Sequence, residues 1–133
     1  MINYDVNTLL AFGETFSEEK GEFHQWLLNN GFPELAALSS AIRGSYEARD
    51  WLLKHNFPEL AALDGAIDNQ HQAYMWLKKF NFDFLIIFAD AVNEKEAALK
   101  WFKEKDLEIF LLLANKIRHF RNNQPYNYHK LHF

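Results

Sequence analysis

The stretch Trp51 to Met75, WLLKHNFPELAALDGAIDNQHQAYM, decides the fold because the chain repeats it. The preceding 25 residues, from Trp26, read WLLNNGFPELAALSSAIRGSYEARD. From Trp76 the chain reads WLKKFNFDFLIIFADAVNEKEAALK, and from Trp101, WFKEKDLEIFLLLANKIRHFRNNQP. Trp26, Trp51, Trp76 and Trp101 are thus each 25 residues apart. A fixed period of this size marks an array of small units, each unable to bury its apolar face alone. Leu10-Ala11 and Phe16 align with Leu35-Ala36 and Ala41, so residues 1–25 read as a divergent N-terminal cap unit. Units 26–50, 51–75, 76–100 and 101–125 follow, then a tail, 126–133, all within a single domain, 1–133.

Each unit reads as two short helices. Ala48, Trp51, Leu52 and His55 fall on one helical stripe, as do Ala73, Trp76, Leu77 and Phe80. The helix stops at Gly31, Asn56, Asn81 or Asp106, residue types that tolerate the left-handed conformation beyond a helix end. Phe32, Phe57, Phe82 or Leu107 follows, matching the apolar contact that accompanies such a cap. Pro33 and Pro58 then open the second helix, where a missing N–H costs nothing. Leu35, Leu38 and Ile42, or Leu60, Leu63 and Ile67, form its buried stripe. It ends near Gly44, Asp68-Asn69 or Asn93, and Asp68 and Asn93 are also placed to cap the next helix. The expectation is an all-α fold: stacked antiparallel helix pairs in a right-handed α-solenoid of about five 25-residue repeats. Each Trp is expected to wedge between successive hairpins, with Phe32, Phe57 and Phe82 as further structural repeat positions.

The stretch Ala66-Ile67-Asp68-Asn69-Gln70-His71-Gln72-Ala73-Tyr74-Met75-Trp76-Leu77 resembles the inner-helix end, turn and outer helix of an ankyrin repeat. The unit is about eight residues shorter than an ankyrin repeat and lacks the Thr-Pro-Leu-His opening. It has no room for the projecting β-hairpin. The likeness lies in the stacking, and it implies partner binding on one face rather than catalysis.

Composition narrows the function. The 133 residues contain no cysteine, which excludes disulfides, thiol catalysis and thiolate metal sites. Gly 5 and Pro 3 are too few for an all-β fold rich in tight turns. No Gly-rich phosphate loop or nucleophile elbow is present. Glu18-Glu19 with Glu22, and Asp64 with Asp68, read as solvated or capping carboxylates, and Ser39-Ser40 lie within a helix. His129 and His132 lack carboxylate neighbours for a metal site. The reading is a non-catalytic protein with no cofactor and no metal. The first residues form no secretory signal and no apolar run approaches the ~20 residues of a membrane span, so a cytoplasmic protein is expected.

A partner surface is expected where the units differ. The inter-unit turns near Arg43-Gly44-Ser45-Tyr46, Asp68-Asn69-Gln70-His71, Asn93-Glu94-Lys95-Glu96 and Arg118-His119-Phe120-Arg121 would line up in a ridge. Tyr46, His71, Arg118, Phe120 and Arg121 are its candidate contacts. The alternative surface is the concave face. The apolar segments 84–88 and 109–113 would serve a homodimer if left open. Residues 1–66 carry 4 Lys/Arg against 10 Asp/Glu, net −6, whereas residues 67–133 carry 10 against 8, net +2. The basic, aromatic end (Lys116, Arg118, Arg121 and Lys130, with Phe120, Tyr126, Tyr128 and Phe133) gives a second reading, a nucleic-acid-associated protein. Four cations in an acidic protein make nucleic acid the weaker of the two partners.

Overall fold

A computed structural model describes residues 1–123. Over these residues it is all-α: α1 (Val6–Glu14), α2 (Glu22–Asn29), α3 (Pro33–Ile42), α4 (Tyr46–Lys54), α5 (Pro58–Ile67), α6 (His71–Lys79), α7 (Asp83–Val92), α8 (Glu96–Glu104) and α9 (Glu108–Asn122). The proposed tail, 126–133, with Tyr126, Tyr128, His129, Lys130, His132 and Phe133, lies outside the described residues.

The turns follow from residue type. Gly31, Asn56, Asn81 and Asp106 all have positive φ, between 56° and 85°. The N–H of the next residue, Phe32, Phe57, Phe82 or Leu107, reaches five residues back to the carbonyl of Leu27, Leu52, Leu77 or Phe102 at 2.8–2.9 Å. This is the Schellman closure, which satisfies carbonyls that a helix end leaves bare. The same closure recurs after α3, α5 and α7, at Gly44, Asn69 and Glu94. Pro33 and Pro58 are the first residues of α3 and α5. Asp68 and Asn93, however, do not cap the helices that follow them. Each is the C-cap of its own helix, and α6 and α8 begin after Gln70 and Lys95 without a side-chain cap. Ser45 does cap α4, accepting from the Ala48 N–H at 3.1 Å.

The odd-numbered helices form the inner layer. α3 packs on α5, α5 on α7 and α7 on α9, and α1 lies along α9 while touching α3. The two ends of the array therefore meet, where an open solenoid would leave them apart. Leu35, Leu38 and Ile42 are fully buried, as are their counterparts Leu60, Leu63 and Ile67, Leu85, Phe88 and Val92, and Phe110, Leu113 and Ile117, or nearly so. Leu9 and Phe12 on α1, with Phe16 just beyond its end, supply the same stripe. This register is one residue from the sequence alignment, which places Leu10 at the Leu35 position; Leu10 is 37% exposed. The inner faces that would line a concave groove are thus core.

Closure also accounts for the strongly apolar helices. α9 has α7 on one side and α1 on the other, so Leu85, Ile86, Phe88, Phe110 and Leu113 are buried within the chain. In segments 84–88 and 109–113 Leu112 is exposed and Phe84, Ile87, Ile109 and Leu111 are half-buried. Gly13 permits the seam: a Cβ on it would lie 2.8 Å from Leu113 Cδ2.

Candidate binding surface

The even-numbered helices form the outer layer. Each packs on the inner helices before and after it, and no two of them pack closely on one another. Placed outside a closed inner layer they splay, leaving grooves floored by short side chains. One groove, between α2 and α4, is floored by Ala36, Ala37 and Ser40 and walled by His24, Leu28 and Trp51. Burial and the charge of Arg43 hold the His24 imidazole below the usual histidine pKa, and its Nε2 lies 3.1 Å from Ser40 Oγ. A second groove, between α6 and the residue that opens α8, is bordered by His71, Tyr74, Met75, Lys78, Asp90 and Lys95.

The tryptophans belong to this outer layer. The fully buried residue of each outer helix is the one after Trp: Leu27, Leu52, Leu77 or Phe102. Trp26 is 38% exposed and the other three are half-buried. Each of the first three stacks on the phenylalanine six residues on, and Trp51 also walls the groove between α2 and α4. Trp26 on Phe32, Trp51 on Phe57 and Trp76 on Phe82 are near-parallel, with centroids 6.5, 6.3 and 5.7 Å apart. The indole thus closes the Schellman turn of its own unit, and part of its face stays open to solvent.

The five expected contact residues divide. Tyr46 and His71 open α4 and α6 and are exposed, Tyr46 with the Arg49 guanidinium 5.1 Å above its ring. Arg118, Phe120 and Arg121 lie on α9, which runs on through this segment where a turn was expected, and of the three Arg121 borders the same cleft as Tyr46. Its last turn finds partners on three helices. Arg118 donates to the carbonyls of Val92 and Ala91 at 3.0 and 2.6 Å, satisfying the bare end of α7, and pairs with Glu94 at 3.3 Å. Arg121 donates to Asp68 at 2.9 Å, and Phe120 packs edge-on against Phe16. Lys116 pairs with Glu14 at 2.8 Å. Three of the four cations invoked for nucleic acid are therefore engaged within the chain, and the fourth, Lys130, lies outside the described residues.

One cluster went unread in the sequence. Asp64 and Asp68, expected to be solvated or capping, border a cleft of about 30 Å³ with Tyr46, Arg49, Gln70 and Arg121. Burial pushes the Asp64 carboxyl up to about 7, against the opposing pull of Arg49, and Asp68 raises it further. Spacing of i, i+4 put the two acids on one helix face, but nothing local said that α4 and α9 would cover that face. A cleft of this volume has room for about one or two waters. Among the described residues, no group of three or more His, Asp and Glu could hold a metal ion. No helix among them is long and apolar enough to cross a membrane.

Compared with known proteins, the sequence matches no family model, and no curated protein or solved structure matches it.

Proposed function

We propose that the chain is a non-catalytic scaffold of about five 25-residue helical units that binds another protein through its outer layer. The observation that carries this reading is the row of large apolar side chains exposed on consecutive outer helices. Phe23, Trp26 and Leu28 on α2, Leu53 on α4 and Met75 on α6, with Phe80 just beyond it, are each 38–53% exposed. A single exposed apolar residue is ordinary, but a series along adjacent elements, next to half-open grooves, is what interaction surfaces show. Aromatic residues dominate such anchors. Tyr46 and His71, exposed at the starts of α4 and α6, extend the proposed surface. The concave face contributes nothing to this reading, since its side chains form the core.

Affinity capture from a lysate, with and without nuclease, tests the proposal when a Leu28→Ser, Leu53→Ser, Phe80→Ser variant is run beside the parent. All three positions are exposed, so the variant should keep its helical circular dichroism and melting midpoint. The expected result is a set of protein partners that survives nuclease and is lost in the variant. Loss of all bound material on nuclease treatment, or partners indifferent to the variant, would overturn it.

A further inference from the structure

The units differ most informatively in the α6–α8 groove. Lys78 stands where the two earlier units have Leu28 and Leu53, Lys95 where they have Ser45 and Gln70, and Asp90 where they have Ser40 and Gly65. Lys78 departs from a position that the two earlier units share, the other two positions vary from unit to unit, and all three side chains meet in one place. Their geometry is specific. The Tyr74 ring has Lys78 Nζ at 5.8 Å and Lys95 Nζ at 5.9 Å from its centroid, one ammonium from each wall of the groove. Asp90 meets Lys95 at 3.3 Å, so one carboxylate is already seated on this ammonium and the three charged side chains leave the groove a net charge of +1. His71 lies at the mouth and Met75, 46% exposed, offers an adaptable apolar contact on the rim.

From this juxtaposition we infer that the groove between α6 and α8 docks an acidic segment of a partner protein, its carboxylates on Lys78 and Lys95 and an apolar residue against Tyr74 and Met75. Several features select a carboxylate-bearing peptide over a polyphosphate. The cations are lysines, point charges without the planar fork that grips phosphate. Asp90 sits among them and repels a dianion more than a monoanion. The aromatic floor and the methionine suit a side chain. The inference rests on the interaction reading above and names one partner chemistry for it.

The test uses the full chain and a fluorescein-labelled, glutamate-rich helical peptide carrying leucine on the same face, followed by anisotropy. Saturable binding is expected, weakening about tenfold between about 50 and about 300 mM salt. A Lys78→Glu, Lys95→Glu variant should bind about tenfold more weakly or worse. Lys79→Glu, next in sequence but outside the groove, should bind like the parent. A lysine-rich peptide of the same pattern should not bind. Absence of saturable binding, equal binding by the double variant, or competition by inorganic phosphate or RNA but not by free glutamate-rich peptide would overturn the inference. Capture of partners through the Leu28, Leu53 and Phe80 row alongside any of those outcomes would leave the scaffold reading standing and remove only this one.

Discussion

The guanidinium of Arg121 lies 2.9 Å from Asp68 Oδ1, joining α9 to the end of α5 across 53 residues of sequence. Both side chains are under 20% exposed, so the pair is shielded from solvent far more than a surface ion pair. With Lys116–Glu14 and Phe120–Phe16 it binds the last helix to the body of the protein.

Arg121→Met should therefore destabilise the protein by about 1–3 kcal/mol, because Asp68 keeps its burial and loses its donor. Adding Asp68→Asn should recover part of that loss. Urea denaturation of the two single variants and the double variant supplies the comparison. Additive effects would mean that the pair is not coupled.

Gly13 is the narrowest point of the α1/α9 seam. In Gly13→Ala the new methyl would meet Leu113 Cδ2 at 2.8 Å and Lys116 Cδ at 3.1 Å, and Leu113 is fully buried with nowhere to retreat. A cost of about 1–3 kcal/mol follows. Hydrogen exchange should quicken in α1 and α9 before α4 and α6. Uniform quickening would show that the seam is not a separate weak point.

Asp64 imposes a pH dependence with a definite sign. Its folded-state pKa, about 7, lies above the ordinary 3.8, mainly through burial. The neutral form is the one the fold accepts, so this contribution to stability is complete below about pH 4. It is lost as pH rises through about 7. Asp64→Asn cannot ionise and should lose less stability than the parent between those limits. Denaturation midpoints of the two proteins, taken across that range, should converge on acidification and separate at neutral pH. Parallel curves would refute the burial argument.

Glu94 holds a left-handed conformation, φ 60°, where Gly44 stands in an earlier unit. Glu94→Gly removes that backbone cost and should stabilise the protein by about 0.5–1 kcal/mol. The pair with Arg118 is lost, but Glu94 is 63% exposed there and contributes little. A shift to lower urea midpoint would show that the pair outweighs the backbone strain.

Trp26 and Leu27 reverse the order of importance that their residue types suggest. Leu27→Ala opens a cavity at a fully buried site and should cost about 2–5 kcal/mol. Trp26→Ala chiefly loses the stack on Phe32 and should cost about 1 kcal/mol. Thermal melts of both variants decide between them.

The local grammar was readable. Gly31, Asn56, Asn81 and Asp106 mark left-handed turns because few residue types accept positive φ, and Pro33 and Pro58 mark helix starts because proline has no N–H to satisfy. The site was less so. Tyr46 and His71 are exposed at helix starts as the turn pattern indicates, whereas Arg118, Phe120 and Arg121 face partners on α7, α1 and α5 that no local pattern names. The clue to the α6–α8 groove was present as Lys78 in place of leucine, but it acquires meaning only once Lys95 is seen across Tyr74.

The all-α class, the 25-residue spacing and the stripes at Leu35, Leu38, Ile42 and their counterparts are legible in the residues alone, since these depend on backbone preference and helical period. The packing of distant helices sets the contact of α1 with α9, the partial exposure of Trp26 and the partial burial of Asp64. Those outcomes depend on the angle at which one helix pair sits on the next. The contact of α1 with α9 joins residues about a hundred positions apart, and no single unit of sequence carries it.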